Sequence, residues 1–79
     1  MSVKLFAAIR DVVGADQIEL TLSDAADIAE IRASLVQQFP ELAAYSPHLS
    51  FAVNQAYATE TTRVTTADEI ACIPPVSGG

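Results

Sequence analysis

The chain is poor in the residues that most often carry chemistry, with one cysteine, one histidine and no tryptophan among its 79 residues. A single cysteine excludes an internal disulfide and fits a reducing compartment, which predicts a cytoplasmic location. Cys72 alternates with core residues, so we interpret it as a small buried hydrophobe and not as the nucleophile of a Cys–His pair with His48. No group of His, Cys and carboxylate residues has the spacing of metal ligands, and no metal site is predicted.

Basic residues are scarce as well, because four Lys and Arg stand against ten Asp and Glu for a net charge of −6. Phosphate backbones require clusters of Lys and Arg, so nucleic-acid binding is not predicted. The charge suits docking onto a basic protein surface, and plain solubility is the alternative. Among the acids, Asp68 and Glu69 are interpreted as solvated.

Long apolar runs are missing too. No window approaches the roughly 18 uninterrupted apolar residues of a membrane span. The first four residues lack the basic region and apolar stretch of a secretory signal, so no membrane association is predicted. With 51% hydrophobic residues, the chain can still build one core, and we predict a single domain over residues 1–79.

Alternating hydrophobicity marks the first part of the chain. Apolar residues share one face of residues 2–9, and a period of two indicates a half-buried strand. Residues 17–22 alternate in the same way, after a short turn or helical turn around residues 10–13 that reaches Gly14. Two alternating strands with a short connection predict a hairpin.

A helical period follows. Apolar residues recur at intervals of three or four positions, which predicts an amphipathic helix. These residues are Ile28, Ile31, Leu35 and Phe39. Asp27 and Glu30 have the spacing of a capping box, and Asp24 is the competing start. Pro40 ends the helix, because a proline disfavours helical geometry in the residue before it.

The second half of the chain is predicted to add short strands. Residues 49–53 form the third strand, a turn at residues 54 and 55 closes it, and residues 57 and 58 form a short partner strand. Residues 59–66 are polar and irregular, and residues 69–73 form the last strand. The order predicts an α+β fold in which one main helix packs on one face of a mixed four- to five-stranded sheet.

The other face of that sheet is left open to water or to a partner. By alternation, Phe6, Ala52, Ala71 and Ile73 point away from the helix and form an apolar patch if the outer strands are neighbours. Scattered apolar residues are also normal on protein surfaces. The pattern alone therefore leaves partner docking and an ordinary surface as alternatives.

The chain ends in the letters CIPPVSGG. Pro74 and Pro75 cannot donate hydrogen bonds to a sheet, so they end the last strand and begin an extended, flexible tail over residues 74–79. Gly78 and Gly79 carry no side chains, so the tail can pass through a narrow channel and present the Gly79 carboxylate without hindrance. If an enzyme adenylates that carboxylate, sulfur or amine nucleophiles can attack it. A frayed end with accidental glycines is the alternative.

Three segments carry a resemblance, namely the opening VKLFAAIRDVVGAD, the segment FAVNQ and the ending CIPPVSGG. Together they resemble the ubiquitin-like β-grasp sulfur carriers, and within them the small subunits of molybdopterin synthase. The similarity covers essentially the whole chain, and the ending, of the form Pro-Pro-Val-(Ser/Thr)-Gly-Gly, is its specific part. The family often has Asp-Gly-Asp-Glu where this chain has residues 66–69, so the turn at Ala67 lacks that glycine.

The resemblance implies a mechanism. An activating enzyme would use ATP to adenylate Gly79, and a sulfur donor would convert it to a thiocarboxylate. The tail would insert into the large subunit of the synthase, and the sulfur would pass to cyclic pyranopterin monophosphate to build the dithiolene of molybdopterin. The inserted residues would be Pro74, Pro75, Val76, Ser77 and Gly78. Catalytic side chains would belong to the large subunit, and this chain would bind no cofactor of its own.

The resemblance also implies the partners. Family members dock through apolar residues on the open sheet face, and Phe6, Ile73 and Tyr57 match those positions. The partners would be the large catalytic subunit and the adenylating enzyme. The expected assembly is a heterotetramer of two small and two large subunits.

Three other functions compete with this one. A carrier for thiazole synthesis would keep the Gly-Gly ending without the Pro-Pro-Val-Ser lead. A ubiquitin-like modifier would be joined through Gly79 to lysines of target proteins. A plain interaction domain would have an inert tail.

Overall fold

Short strands and two α-helices form residues 1–75, the part of the chain that the computed structural model describes. The strands are β1 (Ser2–Leu5), β2 (Gln17–Glu19), β3 (Ala25–Asp27), β4 (Ser50–Val53), β5 (Ala56–Tyr57), β6 (Arg63–Thr65) and β7 (Ile70–Ile73). The helices are α1 (Ala7–Val13) and α2 (Ile28–Gln38), followed by 3₁₀ turns at Pro40–Leu42 and Ser46–His48. No helix within residues 1–75 is long and apolar enough to cross a membrane.

The main sheet has five strands in the order β2-β1-β7-β4-β5. β1 and β7 pair in parallel, whereas the other neighbouring strands are antiparallel, so the sheet is mixed as predicted. β3 and β6 form a separate two-stranded antiparallel sheet. The arrangement confirms the predicted α+β class.

One core lies under one face of the main sheet. Alternate residues of β1, β4 and β7 are buried there, together with the inner residues of both helices. The largest buried side chains include Phe51, Ile9, Ile28, Ile31, Leu35, Leu42 and Ile70. Each such side chain contributes about 1.5–3 kcal/mol on leaving water. Because the inner residues of both helices lie in this core, neither helix covers the opposite face of the sheet.

The prediction of a strand over residues 2–9 was wrong in its second half. β1 ends at Leu5, and α1 begins at Ala7, whose φ of 50° breaks the extended run. Leu5, Ile9 and Val13 lie four residues apart, so the same apolar residues satisfy a helical period as well as an alternating one. β1 and β2 pair as the predicted hairpin would, but α1 replaces the short connection.

The two-stranded sheet was missed, and residues 59–66 are not irregular throughout. Each of its strands buries a single residue, Ala26 in β3 and Val64 in β6, and the two are paired directly. One buried residue gives no alternation to detect. β2 is also shorter than predicted and ends at Glu19, although Leu20 is still buried.

Helix α2 begins and ends as predicted. The Asp27 carboxylate accepts a hydrogen bond from the Glu30 N–H at 2.8 Å, and the Glu30 carboxylate accepts one from the Asp27 N–H at 3.0 Å. This capping box satisfies two backbone donors and places the N-cap at Asp27, not at the competing Asp24. The helix stops at Gln38, two residues before Pro40.

Candidate functional site

The last strand occupies a central position in the main sheet. β7 is hydrogen-bonded to β1 on one side and to β4 on the other, and it ends at Ile73 as the two prolines require. Pro74 is half-buried and Pro75 is exposed. The predicted insertion residues Val76, Ser77 and Gly78, and the predicted reactive Gly79, lie outside the described residues.

Strand register assembles the open face of the sheet, which is the face away from the core. Ala71 of β7 is paired with Lys4 on one side and with Ala52 on the other. Ala52 is in turn paired with Tyr57 of β5. The four residues therefore form one row across four strands, with small side chains in the middle and long ones at the ends.

The three predicted docking residues lie on or beside this face. Phe6 is 46% exposed and Tyr57 is 75% exposed, and they are the exposed large hydrophobic residues of the described part of the chain. Ile73 shares the Ala71 face of β7 and is half-buried. Phe6 is therefore not a core residue, although residues 7–9, the start of α1, were wrongly predicted to continue β1.

Ala52 differs from the patch that the sequence predicted, because it is only 8% exposed. Together with Ala71 it lies at the bottom of a hollow of about 280 Å³ in the open face. The surrounding residues are Lys4, Phe6, Gln55 and Glu69. The centre of the open face is thus a depression with a small-residue floor and mixed walls, not a flat apolar patch.

Glu69 was interpreted as a solvated acid, and the structure corrects this. Its Oε2 lies 3.5 Å from the Lys4 Nζ, whereas its Oε1 is buried and has no hydrogen-bond partner within residues 1–75. The neighbouring Asp68 is also engaged, because its carboxylate accepts hydrogen bonds from the Thr65 N–H and from Asn54. The bond from Thr65, followed by that from Asn54, lowers the pKa of Asp68.

A second carboxylate is fixed at the end of the face near the N-terminus. The Ser2 hydroxyl donates to Glu19, and the N-terminal ammonium lies 3.2 Å from the same carboxylate. The Ser2 bond, followed by the ammonium, lowers the pKa of Glu19. This end of the face therefore holds ionised carboxylates down to acidic pH.

Cys72 has the environment of a core residue and not of a nucleophile. It is fully buried, and burial raises the pKa of its thiol to about 12, although Arg32 opposes the shift. His48 is exposed at the end of the second 3₁₀ turn. Within residues 1–75, no group of three His, Cys, Asp or Glu residues is placed to hold a metal ion.

Sequence reasoning missed the polar walls of the hollow. Lys4, Gln55 and Glu69 were not among the predicted site residues, because only the register of β1, β4 and β7 brings them together. A usable signal was present, since Lys4 and Glu69 lie at alternate positions to residues of the predicted open face.

The sequence profile of the ThiS family matches residues 3–79 of this chain. The chain belongs to the ThiS family. A molybdopterin synthase sulfur carrier subunit of Arabidopsis thaliana is 33% identical over the full chain and 82% of the relative's length. That of Dictyostelium discoideum is 37% identical over 95% of this chain and 91% of its own.

A solved structure confirms the fold. The crystal structure of SAMP1 from Haloferax volcanii superposes with a TM-score of 0.83 at 28% identity, covering 100% of this chain and 98% of its own. The β-grasp prediction is therefore confirmed, with five strands in the main sheet. The resemblance to molybdopterin synthase sulfur carrier subunits is confirmed as well, over the whole chain.

Proposed function

We propose that this chain is the sulfur carrier subunit of a molybdopterin synthase and that the carboxylate of Gly79 carries the sulfur. One observation carries the proposal. The central strand β7 ends at Ile73 beside the open face and leads into the PPVSGG ending, in a chain whose full-length relatives are named sulfur carrier subunits. An anchored strand and a short tail hold a terminal carboxylate at a limited distance from the docking surface.

The proposed chemistry takes place at the terminal acyl carbon. An activating enzyme joins the Gly79 carboxylate to the α-phosphate of ATP and releases pyrophosphate. A sulfur donor then supplies the nucleophile that displaces AMP from the acyl carbon, which leaves a thiocarboxylate. The thiocarboxylate sulfur attacks cyclic pyranopterin monophosphate and forms a thioester with it. Water then cleaves the bond between the sulfur and the acyl carbon, so the sulfur stays on the pterin and the carrier recovers its carboxylate. The buried Cys72, with a thiol pKa of about 12, is unsuited to act as the sulfur nucleophile.

The proposed partner in transfer is a large synthase subunit that supplies the catalytic side chains. Phe6, Tyr57 and Ile73 give the open face its apolar contacts, and aromatic side chains are enriched in protein interfaces. Pro74 and Pro75 hold the exit of the tail extended, so less conformational entropy is lost when the tail enters a channel. The proposed assembly has two small and two large subunits, and the adenylating enzyme is a second partner.

Removal of Gly79 tests the function. We expect the shortened chain to keep its unfolding transition and its binding to the large subunit, because β7 and the open face are unchanged. Molybdopterin formation in a reconstituted assay should be abolished. Synthesis by the shortened chain at the normal rate would contradict the proposed role of Gly79.

A ubiquitin-like modifier is the second candidate, because the similar SAMP1 structure is that of a small archaeal modifier protein. The two functions differ in the product formed at Gly79. Intact mass spectrometry of protein from its host should show an oxygen-to-sulfur exchange for a carrier. Isopeptide-linked conjugates of other proteins, with no thiocarboxylate, would favour the modifier.

A further inference from the structure

The hollow in the open face is large enough to accept a side chain. Its floor is the directly paired Ala52 and Ala71, the smallest side chains in the central row of the sheet. Lys4, Phe6, Gln55 and Glu69 are longer and line its sides. A hollow of about 280 Å³ in this face leaves room for a side chain from a docking partner.

Glu69 gives this hollow one polar group that is incompletely hydrogen-bonded. Its Oε2 faces Lys4 at 3.5 Å, and its Oε1 has no hydrogen-bond partner within residues 1–75. An ionised carboxylate accepts several hydrogen bonds, and a desolvated oxygen without a donor is costly. The side chain is 39% exposed, and the terminal torsion of Glu is broad, so the carboxylate can turn toward an incoming donor.

The residues that line the hollow favour one of three kinds of side chain as its occupant. A carboxylate would meet Glu69 and a chain of net charge −6. A purely apolar side chain would cover the Glu69 carboxylate without supplying a donor. A long basic side chain can lay its aliphatic stem on the alanine floor and against Phe6 while its charged head bonds Glu69.

The other charges near the Phe6 side of the face do not change this selection. Arg10 is the other cation there, and it lies 4.0 Å from Asp11 and 3.8 Å from Asp16. Lys4 is half-exposed on a flexible stem, so it can leave Glu69 when a stronger donor arrives.

We infer that the hollow formed by Lys4, Phe6, Ala52, Gln55, Glu69 and Ala71 receives a single Arg or Lys side chain of the docking partner, with Glu69 as its acceptor. The inference rests on the proposed function, because it takes the large synthase subunit as that partner. The contact gives docking a polar reference point among the apolar residues of the open face, and this fixes the orientation of β7 relative to the partner.

Binding of the purified large subunit from the same organism tests the inference, with the dissociation constant measured at several salt concentrations. We expect Glu69→Gln to weaken binding about ten- to a hundredfold and to reduce its salt dependence. Glu41→Gln is the matched control, because Glu41 is an exposed acid in the 3₁₀ turn after α2 and lies outside the open face. It should bind like the parent chain.

Lys4→Gln separates recognition from structure. If Glu69 is the acceptor, removal of the competing Lys4 cation should make binding tighter, because Glu69 is then free for the partner's donor. If the Lys4–Glu69 pair only supports the sheet, Lys4→Gln and Glu69→Gln should weaken binding equally, which would overturn the inference. Thermal unfolding of each variant shows that its fold is retained.

Ala71→Leu fills the floor of the hollow and should also weaken binding strongly. Unchanged binding by Ala71→Leu, or by Glu69→Gln, would overturn the inference, and in the second case an apolar occupant would be indicated. Loss of binding by Phe6→Ala together with normal binding by Glu69→Gln would leave the proposed docking face intact. If the parent chain did not bind the large subunit at all, the proposed function would fail together with the inference.

Discussion

Asn54 and Glu69 hold the ends of β4 and β7 together through two reciprocal hydrogen bonds. The Asn54 N–H donates to the Glu69 carbonyl at 2.8 Å, and the Glu69 N–H donates to the Asn54 Oδ1 at 3.0 Å. Asn54 Nδ2 also donates to Asp68 Oδ1 at 3.0 Å. Asn54 thus links the turn after β4 to the turn before β7. Through these bonds it also orients Glu69, which lines the hollow.

Substitution of Asn54 should destabilise the fold. Asn54 has a φ of 52°, a region that Asn tolerates better than Ala. We expect Asn54→Ala to lower the free energy of unfolding by about 1–3 kcal/mol, and Asn54→Gly to lower it less, because glycine removes the side-chain bonds without the backbone strain. Urea unfolding measures both, and equal stability of all three chains would contradict the role of Asn54.

The helix N-cap is a separate test of stability. Asp27→Ala removes the acceptor for the Glu30 N–H, and the expected loss is about 0.5–2 kcal/mol. Asp24→Ala is the matched control, because Asp24 lies three residues earlier and is not part of the capping box. A loss with Asp24→Ala that equals the loss with Asp27→Ala would show that the box contributes nothing measurable.

Stability should also fall in acid. The pKa of Asp68 lies below its ordinary value of 3.8, and that of Glu19 lies below its ordinary value of 4.5. The contributions of these two carboxylates to the free energy of unfolding are therefore fully present above those pH values. They are lost as pH falls through the lower pKa values of the folded chain, because the unfolded chain then binds more protons. Asp68→Asn should flatten the decline of the unfolding free energy below pH 4, and an unchanged slope would contradict the assignment.

The buried thiol should be protected from reagents. Because burial raises the pKa of Cys72 from 9.0 to about 12, we expect negligible alkylation by iodoacetamide at pH 8 in the folded chain. In urea the same thiol should react at the rate of a free cysteine. Rapid labelling without denaturant would show that Cys72 is accessible, and it would reopen a nucleophilic role.

The sequence predicted those elements in which several local signals agree. α2 has a helical period, a capping box and a terminating proline, and β7 has alternation followed by two prolines. β3 and β6 each bury one residue, so no local pattern marks them. The apolar residues of α1 fit two periods equally well, and only packing decides between them.

The candidate site likewise has residues that the sequence predicts and a hollow that only the pairing of strands reveals. Phe6 and Ile73 follow from alternation and from the family resemblance, and Tyr57 follows from the resemblance alone. The hollow depends on Ala52 being paired with Ala71, and on Glu69 lying near Lys4. These are relationships between strands that are distant in sequence, and composition or local periodicity does not contain them.

The parallel pairing of β1 with β7 also has a mechanical consequence. β1 starts at the N-terminus and β7 ends at the tail, so a pull on residue 74 against an anchored Met1 acts along both strands in opposite directions. The hydrogen bonds between the two strands then share the load in shear and do not open one after another as in a zipper. A pull on residue 74 against a fixed N-terminus is therefore resisted by several of these hydrogen bonds at once.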